Sequence, residues 1–244
     1  MELLKWTIDG VEREAYVCFP KITPAPIMFA FHGHNGSGYG FSNQEFEKYW
    51  HEAIVVYPDG LPTKSQSDSL GVGSGWQHTI GEVNSLTSIK DQDLKFFDRM
   101  LLELSSLIFP KVVMTFGWSN GGFFVYNVLW PARGAQLAAI SGASCYSVNT
   151  DKKSPKAILH IAGKTDPVVS FTQQQESFKE IRNLNQSIDD GTIIDVEDFG
   201  LVKTRFLTKL KKPTVFIEYD NGHLYPSNVV KHIPIFFRNQ SLKL

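Results

Sequence analysis

Short continuous apolar runs, each closed by turn residues and most followed by an amphipathic stretch, constrain this chain more than any other feature. The runs fall at residues 26–31, 53–57, 112–116, 137–140, 157–162 and 214–219. Strands buried on both faces read as unbroken apolar runs, whereas half-exposed ones alternate. Helical spacing fills several of the gaps. Residues 91–108 place Leu94, Phe97, Leu101, Leu104 and Ile108 three or four apart, and 121–129, 171–184 and 227–237 repeat the pattern. The alternation predicts an α/β fold with a mostly parallel sheet and helices on both faces. Residues 5–19 instead alternate around Asp9-Gly10, which predicts an antiparallel hairpin at the sheet edge. Residues 60–90 and 186–212 fit no element. The first follows a strand whose carboxyl end should face the ligand crevice, and loops of that length are uncommon in compact domains unless functional.

The 244 residues suit one α/β domain over 1–244. A hydrophobic share of 42% and a charged share of 20% leave no reason to expect extensive disorder. A formal net charge of −1, with no basic run among aromatics, excludes attraction to a phosphate backbone, so no nucleic-acid partner is expected. No apolar stretch approaches the roughly 20 residues of a membrane span, so none is expected. The opening Met1-Glu-Leu-Leu-Lys-Trp6 lacks the basic start and apolar centre of a signal peptide. The expected compartment is therefore cytoplasmic if Met1 is the native start, and extracellular if a leader was removed. Cys18 and Cys145 stand apart in apolar or small-residue settings and are expected to be reduced packing residues. Nothing in the pattern fixes an oligomeric state.

The segment Gly117-Trp118-Ser119-Asn120-Gly121 surrounds one hydroxyl with residues that lack side chains, directly after an apolar run and before an amphipathic one. A serine hydroxyl is a poor nucleophile until a base takes its proton, so it must be lifted to where an imidazole and a carbonyl can both reach it. A sharp strand-to-helix turn does this, and side chains two positions either side would collide. The partners on such a fold follow in the order serine, acid, histidine. His223 lies in a loop directly after the run at 214–219, whereas His160 lies within a strand run and His232 on the last helical pattern. Asp166 follows the run at 157–162 and precedes Pro167; Asp189, Asp190, Asp195 and Asp198 are its alternatives in the unassigned charged segment. A developing oxyanion needs two backbone N–H groups. Asn120 supplies one by position, and His34, in the glycine-rich stretch after the run at 26–31, supplies the other.

That glycine-rich stretch lacks the spacing and the Lys-Ser/Thr end of a phosphate loop. His32 and His34 have no third ligand at metal spacing, so neither a metal nor any other cofactor is expected. Asn35-Gly36-Ser37 matches a glycosylation sequon, but a glycan there would obstruct the expected oxyanion loop.

The ordered segments "FAFHGHNGSG", "VVYPDG", "GWQH", "DQDLKFFDRM", "FGWSNGG", "HIAGKTDPVV" and "NGHLYP" resemble the α/β-hydrolase superfamily, and within it the feruloyl esterases and polyhydroxybutyrate depolymerases. The resemblance spans nearly the whole chain. It implies the α/β-hydrolase fold and a serine esterase with Ser119, Asp166 and His223 as triad, the His34 and Asn120 amides as oxyanion hole, and a structural Asp93. Too few residues separate the runs at 137–140 and 157–162 for a cap domain, so the site is expected to be open, with Trp76, Gln77, His78 and Trp118 contacting substrate. The expected substrate is a small-molecule or polymer-linked ester of feruloyl, other aryl or short-acyl type. Depolymerase-like, peptidase or thioesterase activity at the same site is the alternative. A non-catalytic binding protein is the alternative of another class, and the presence of all three triad residue types in order argues against it.

Overall fold

The structure, a computed structural model, describes residues 1–196, 201–208, 212–225 and 231–242. The chain opens with a hairpin, β1 (Glu2–Ile8) and β2 (Val11–Cys18), turning at Asp9 and Gly10, both at positive φ. Then come β3 (Ala25–Phe31), short helices α1 (Gly38–Ser42) and α2 (Phe46–Tyr49), β4 (Ile54–Pro58), and a two-residue ladder of β5 (Leu61–Pro62) with β6 (Ser74–Gly75). Helix α3 (Gln92–Leu104) leads to β7 (Ile108–Trp118), followed by α4 (Asn120–Phe124), a π-turn over Val125–Leu129, and α5 (Trp130–Arg133). Strands β8 (Leu137–Ala143) and β9 (Ala157–Gly163), helix α6 (Phe171–Leu184), strands β10 (Ser187–Val196), β11 (Leu201–Thr208) and β12 (Thr214–Tyr219), and helix α7 (His232–Ser241) complete the order.

Ten strands form one sheet in the order β1-β2-β4-β3-β7-β8-β9-β12-β11-β10. The six from β4 to β12 run parallel, and an antiparallel hairpin flanks each end. Alternate residues of the parallel strands feed two cores. Ile27, Phe29 and Phe31 of β3 face the side covered by α3, α4 and α6, while Met28 and Ala30 face the side of α1, α2 and α7. The chain leaves β3 for β4 on one side and returns as β7 on the other, so the carboxyl ends of β3 and β7 flank the switch point where ligands bind in such sheets. The connection between β8 and β9 carries no inserted domain.

Three expectations need adjusting. The helical pattern expected to reach Ile108 ends at Leu104, and Ile108 begins β7. Pro110 biases the residue before it towards extended backbone. The segment 186–212, unassigned in the sequence, carries the hairpin β10–β11, with residues 197–200 and 209–211 outside the described set. Of the helix expected over 227–237, residues 226–230 lie outside the described set, and α7 continues to Ser241.

Candidate active site

Ser119 sits between β7 and α4 at φ 52°, ψ −119°, a backbone region that costs a non-glycine residue of order 1–3 kcal/mol. The neighbours make this geometry possible. A methyl group on residue 117 would overlap the Gly121 carbonyl, and one on residue 121 would overlap the carbonyl oxygens of Phe31 and His32. The turn is pinned by the Ser119 N–H donating to the Ala143 carbonyl at 2.8 Å.

The Ser119 Oγ lies 2.9 Å from His223 Nε2. The other ring nitrogen, Nδ1, lies 2.9 and 3.0 Å from the two carboxylate oxygens of Asp166. A carboxylate only accepts, so Nδ1 carries the proton and Nε2 is left to accept from the serine. Asp166 is itself fixed: its Oδ1 accepts from the Val168 and Val169 amides at 2.9 and 2.8 Å, and its side chain is fully buried. Behind that loop, His160 Nε2 faces Gln174 Oε1 at 3.2 Å, and Gln174 donates to the Val169 carbonyl at 2.9 Å. Burial pushes His160 down to about 4, so this support is neutral. The competing acids stay unplaced, since Asp198 and the side chains of Asp189, Asp190 and Asp195 lie outside the described residues.

The Asn120 N–H stands at the first position of α4, where a helix supplies no acceptor. The His34 N–H has no backbone acceptor among the described residues. The segment from Asp68 to His78 braces the backbone around both. Asn120 Oδ1 accepts from the Trp76 N–H at 2.7 Å, and its Nδ2 donates to the Trp76 carbonyl at 3.1 Å. Trp76 Nε1 donates to the His32 carbonyl at 2.9 Å, and Asn35 N–H donates to the Ser74 carbonyl at 2.8 Å. His32 accepts the Gly60 N–H at Nε2, which places its proton on Nδ1 towards the Gly33 carbonyl; burial holds it neutral, down to about 4. Asp68 takes the amides of Gly71 and Gly73 and the His34 ring at 3.1 Å, and these donors, the Gly73 N–H first, pull its carboxyl down to about 2.

This bracing corrects the substrate contacts expected from the sequence. Trp76 is fully buried, edge-on to Phe31 and stacked with Phe124, and no face of it reaches substrate. Gln77 is buried too. Its Oε1 accepts the Asp93 and Leu94 amides, capping α3, while its own N–H donates to Asp93, which pairs with buried Arg13 at 2.9 Å. Trp118 lies behind the imidazole, stacked on His223 at 5.4 Å between ring centres and edge-on to Tyr225. Of the four, only His78 lines the open cleft of about 1050 Å³ at Ser119. The cleft's apolar wall comes instead from Phe123 and Tyr146, packed edge to face at 4.9 Å, with Val148, Val168 and Phe171 beside them. Phe123 lies one helical turn past Ser119, the signal that would have found it. Tyr146 sits in the β8–β9 loop and carries no local signal. Among the described residues no group of three or more His, Cys, Asp or Glu is placed to hold a metal, and no helix is long and apolar enough to cross a membrane.

The chain has the α/β-hydrolase fold, shared with esterases of known structure. An acetyl xylan esterase from Aspergillus awamori superposes with a TM-score of 0.64 over 97% of this chain and 99% of its own, at 15% identity. A Bacillus cereus carboxylesterase gives 0.63 over 93% and 94%, at 14% identity. A Zea mays acyl-protein thioesterase gives 0.57 over 93% and 98%, at 16% identity. No family model and no curated protein matches the sequence.

Proposed function

We propose that this chain is a serine carboxylic-ester hydrolase working through an acyl-serine intermediate. The observation that carries the reading is the line from Ser119 Oγ through His223 to buried Asp166, at the floor of an open cleft. Ser119 attacks the ester carbonyl carbon while His223 Nε2 takes its proton. The carbonyl oxygen becomes an oxyanion and accepts from the His34 and Asn120 amides, donors fixed in place before the charge develops. The tetrahedral intermediate collapses by breaking the bond to the leaving oxygen, which takes the proton from His223. Water repeats the cycle on the acyl-serine, giving the free acid and restoring the hydroxyl.

The substrate reading is an ester with a short or aryl acyl group. Among the described residues no cap covers the cleft to complete a long apolar tunnel, and the Phe123–Tyr146 pair offers a ring-sized wall. The test is turnover of p-nitrophenyl acetate, methyl ferulate, p-nitrophenyl palmitate, an acyl thioester and short-chain polyhydroxybutyrate, by wild type and Ser119→Ala. The expected result is Ser119-dependent cleavage of the first two above palmitate. Thioester preference would move the acyl donor to the other class of this chemistry, polyhydroxybutyrate cleavage alone would move it to the polymer, and Ser119-independent turnover would reject the reading.

A further inference from the structure

The loop that presents the His34 amide takes much of its hold from a neighbouring segment. His32-Gly33-His34-Asn35-Gly36 holds two glycines, and Asn35 adopts φ 61°. Glycine supplies no side chain to anchor the backbone, and an oxyanion donor acts only at a set geometry, so contacts with the neighbouring segment bear on the aim of the N–H. Among the contacts that set it, those of the His34 ring and of the facing turn run through Asp68. Its Oδ2 accepts both the His34 Nε2–H at 3.1 Å and the Gly73 N–H at 2.8 Å, and its Oδ1 accepts the Gly71 N–H at 2.9 Å. The turn thus gathered is seated on the oxyanion loop: a methyl group on residue 73 would overlap Asn35 Oδ1, and Ser74 bonds Asn35 N–H and the Gly36 carbonyl. The second ring nitrogen of His34 is buried without a hydrogen-bond partner among the described residues, so the ring's polar anchor is Asp68.

We propose that Asp68 is a positioning residue for the hydrolysis, holding the His34 amide at its working geometry through the imidazole and the turn at 71–73. The role rests on the esterase reading above. Asp68 does not touch the reacting atoms; it acts through a neighbour.

A positioning role and a merely structural one differ in what they discriminate. Amides aimed at an oxygen anion are mismatched to the larger, weaker-accepting sulfur of a thiono ester. An enzyme with a well-set oxyanion site therefore favours p-nitrophenyl acetate over its thiono analogue, and a slackened site loses that preference. Asp68→Ala is expected to lower kcat on p-nitrophenyl acetate by about 10- to 100-fold, as partial loss of an oxyanion donor does, with KM within about 3-fold. The oxo-to-thiono ratio of kcat/KM should shrink by a similar factor. Unchanged kcat, or equal losses on both esters, would overturn the proposal. If Asp68→Ala does not fold, His34→Ala, which removes the ring and keeps the amide, takes its place: a shrunken ratio supports the proposal and an unchanged one overturns it. Wild-type turnover in Ser119→Ala would sink the esterase reading itself. An unchanged ratio in a Ser119-dependent enzyme would sink only the role of Asp68.

Discussion

The turn at 117–121 and the segment at 68–78 both build the surroundings of Ser119, by opposite means. In the turn the residues required are five consecutive ones: a strained serine, and glycines because the carbonyls of the same turn and of the adjacent β3 end leave no room for a side chain. In the long segment the decisive partners are distant. Trp76 works by reaching Asn120 and His32, Asp68 by reaching His34, and Gln77 by reaching the start of α3. A candidate nucleophile can thus be written in five consecutive residues while its candidate oxyanion side is distributed over partners more than thirty positions away.

The sharpest way to break the comparison is at the line of three. Ser119→Ala and His223→Ala are each expected to lower kcat by about 10⁴-fold or more, and the double variant by little more than either, because the residues act as one unit. Steady-state kinetics on correctly folded variants decides it, and additive losses would contradict it. Next comes the turn. Gly121→Ala forces a methyl group against two backbone carbonyls that cannot swing aside, so a loss of about 10²-fold in kcat is expected from displacement of Ser119 alone. Wild-type kinetics in that variant would mean that the turn yields more easily than its packing implies.

On the distributed side, Trp76→Ala should cost about 3–5 kcal/mol of stability, read by denaturant titration, since it empties a fully buried site. It should also lower kcat about 10-fold by loosening Asn120 and His32, and by the same factor on aryl and acetyl esters. A selective loss on aryl esters would restore the substrate contact that the structure takes away.

The smallest effect compares the two sides through pH. His32 behind the oxyanion loop and His160 behind the Asp166 loop are both depressed by burial to about 4 from an ordinary 6.5. Below 6.5 the unfolded chain binds protons that the folded chain refuses, so their stabilisation is present above that value and is lost as pH falls towards 4. A fall of roughly 1 to 3 kcal/mol between pH 6 and pH 5 is expected, with part of the slope removed by His160→Gln. A flat stability profile over that range would contradict the burial of both rings.

What was legible in the sequence follows the same division. The parallel strands could be read because burial on both faces leaves unbroken apolar runs, and the first hairpin because Asp9-Gly10 supplies the two positive φ values its turn needs. Ser119, Asp166 and His223, which lie within hydrogen-bond reach of one another, could be picked out as candidates because each lies just past the carboxyl end of a parallel strand. The strands β10 and β11 were hidden by a register shift between Asp189 and Thr192 that breaks the two-residue period. The reading of Trp76 failed for a different reason. An aromatic residue in a polar loop looks exposed until the partners that enclose it, Phe31 and Phe124, are brought together by the fold.

If Ser119 is a nucleophile activated by His223, as proposed, an active-site-directed fluorophosphonate should modify it. The probe is incubated with the folded wild type, Ser119→Ala and His223→Ala, and the modified residue is mapped by peptide mass spectrometry. Stoichiometric labelling at Ser119 is expected in wild type, none in Ser119→Ala, and labelling slowed by orders of magnitude in His223→Ala. A folded wild type that resists the probe, or labelling at a residue other than Ser119, would contradict it.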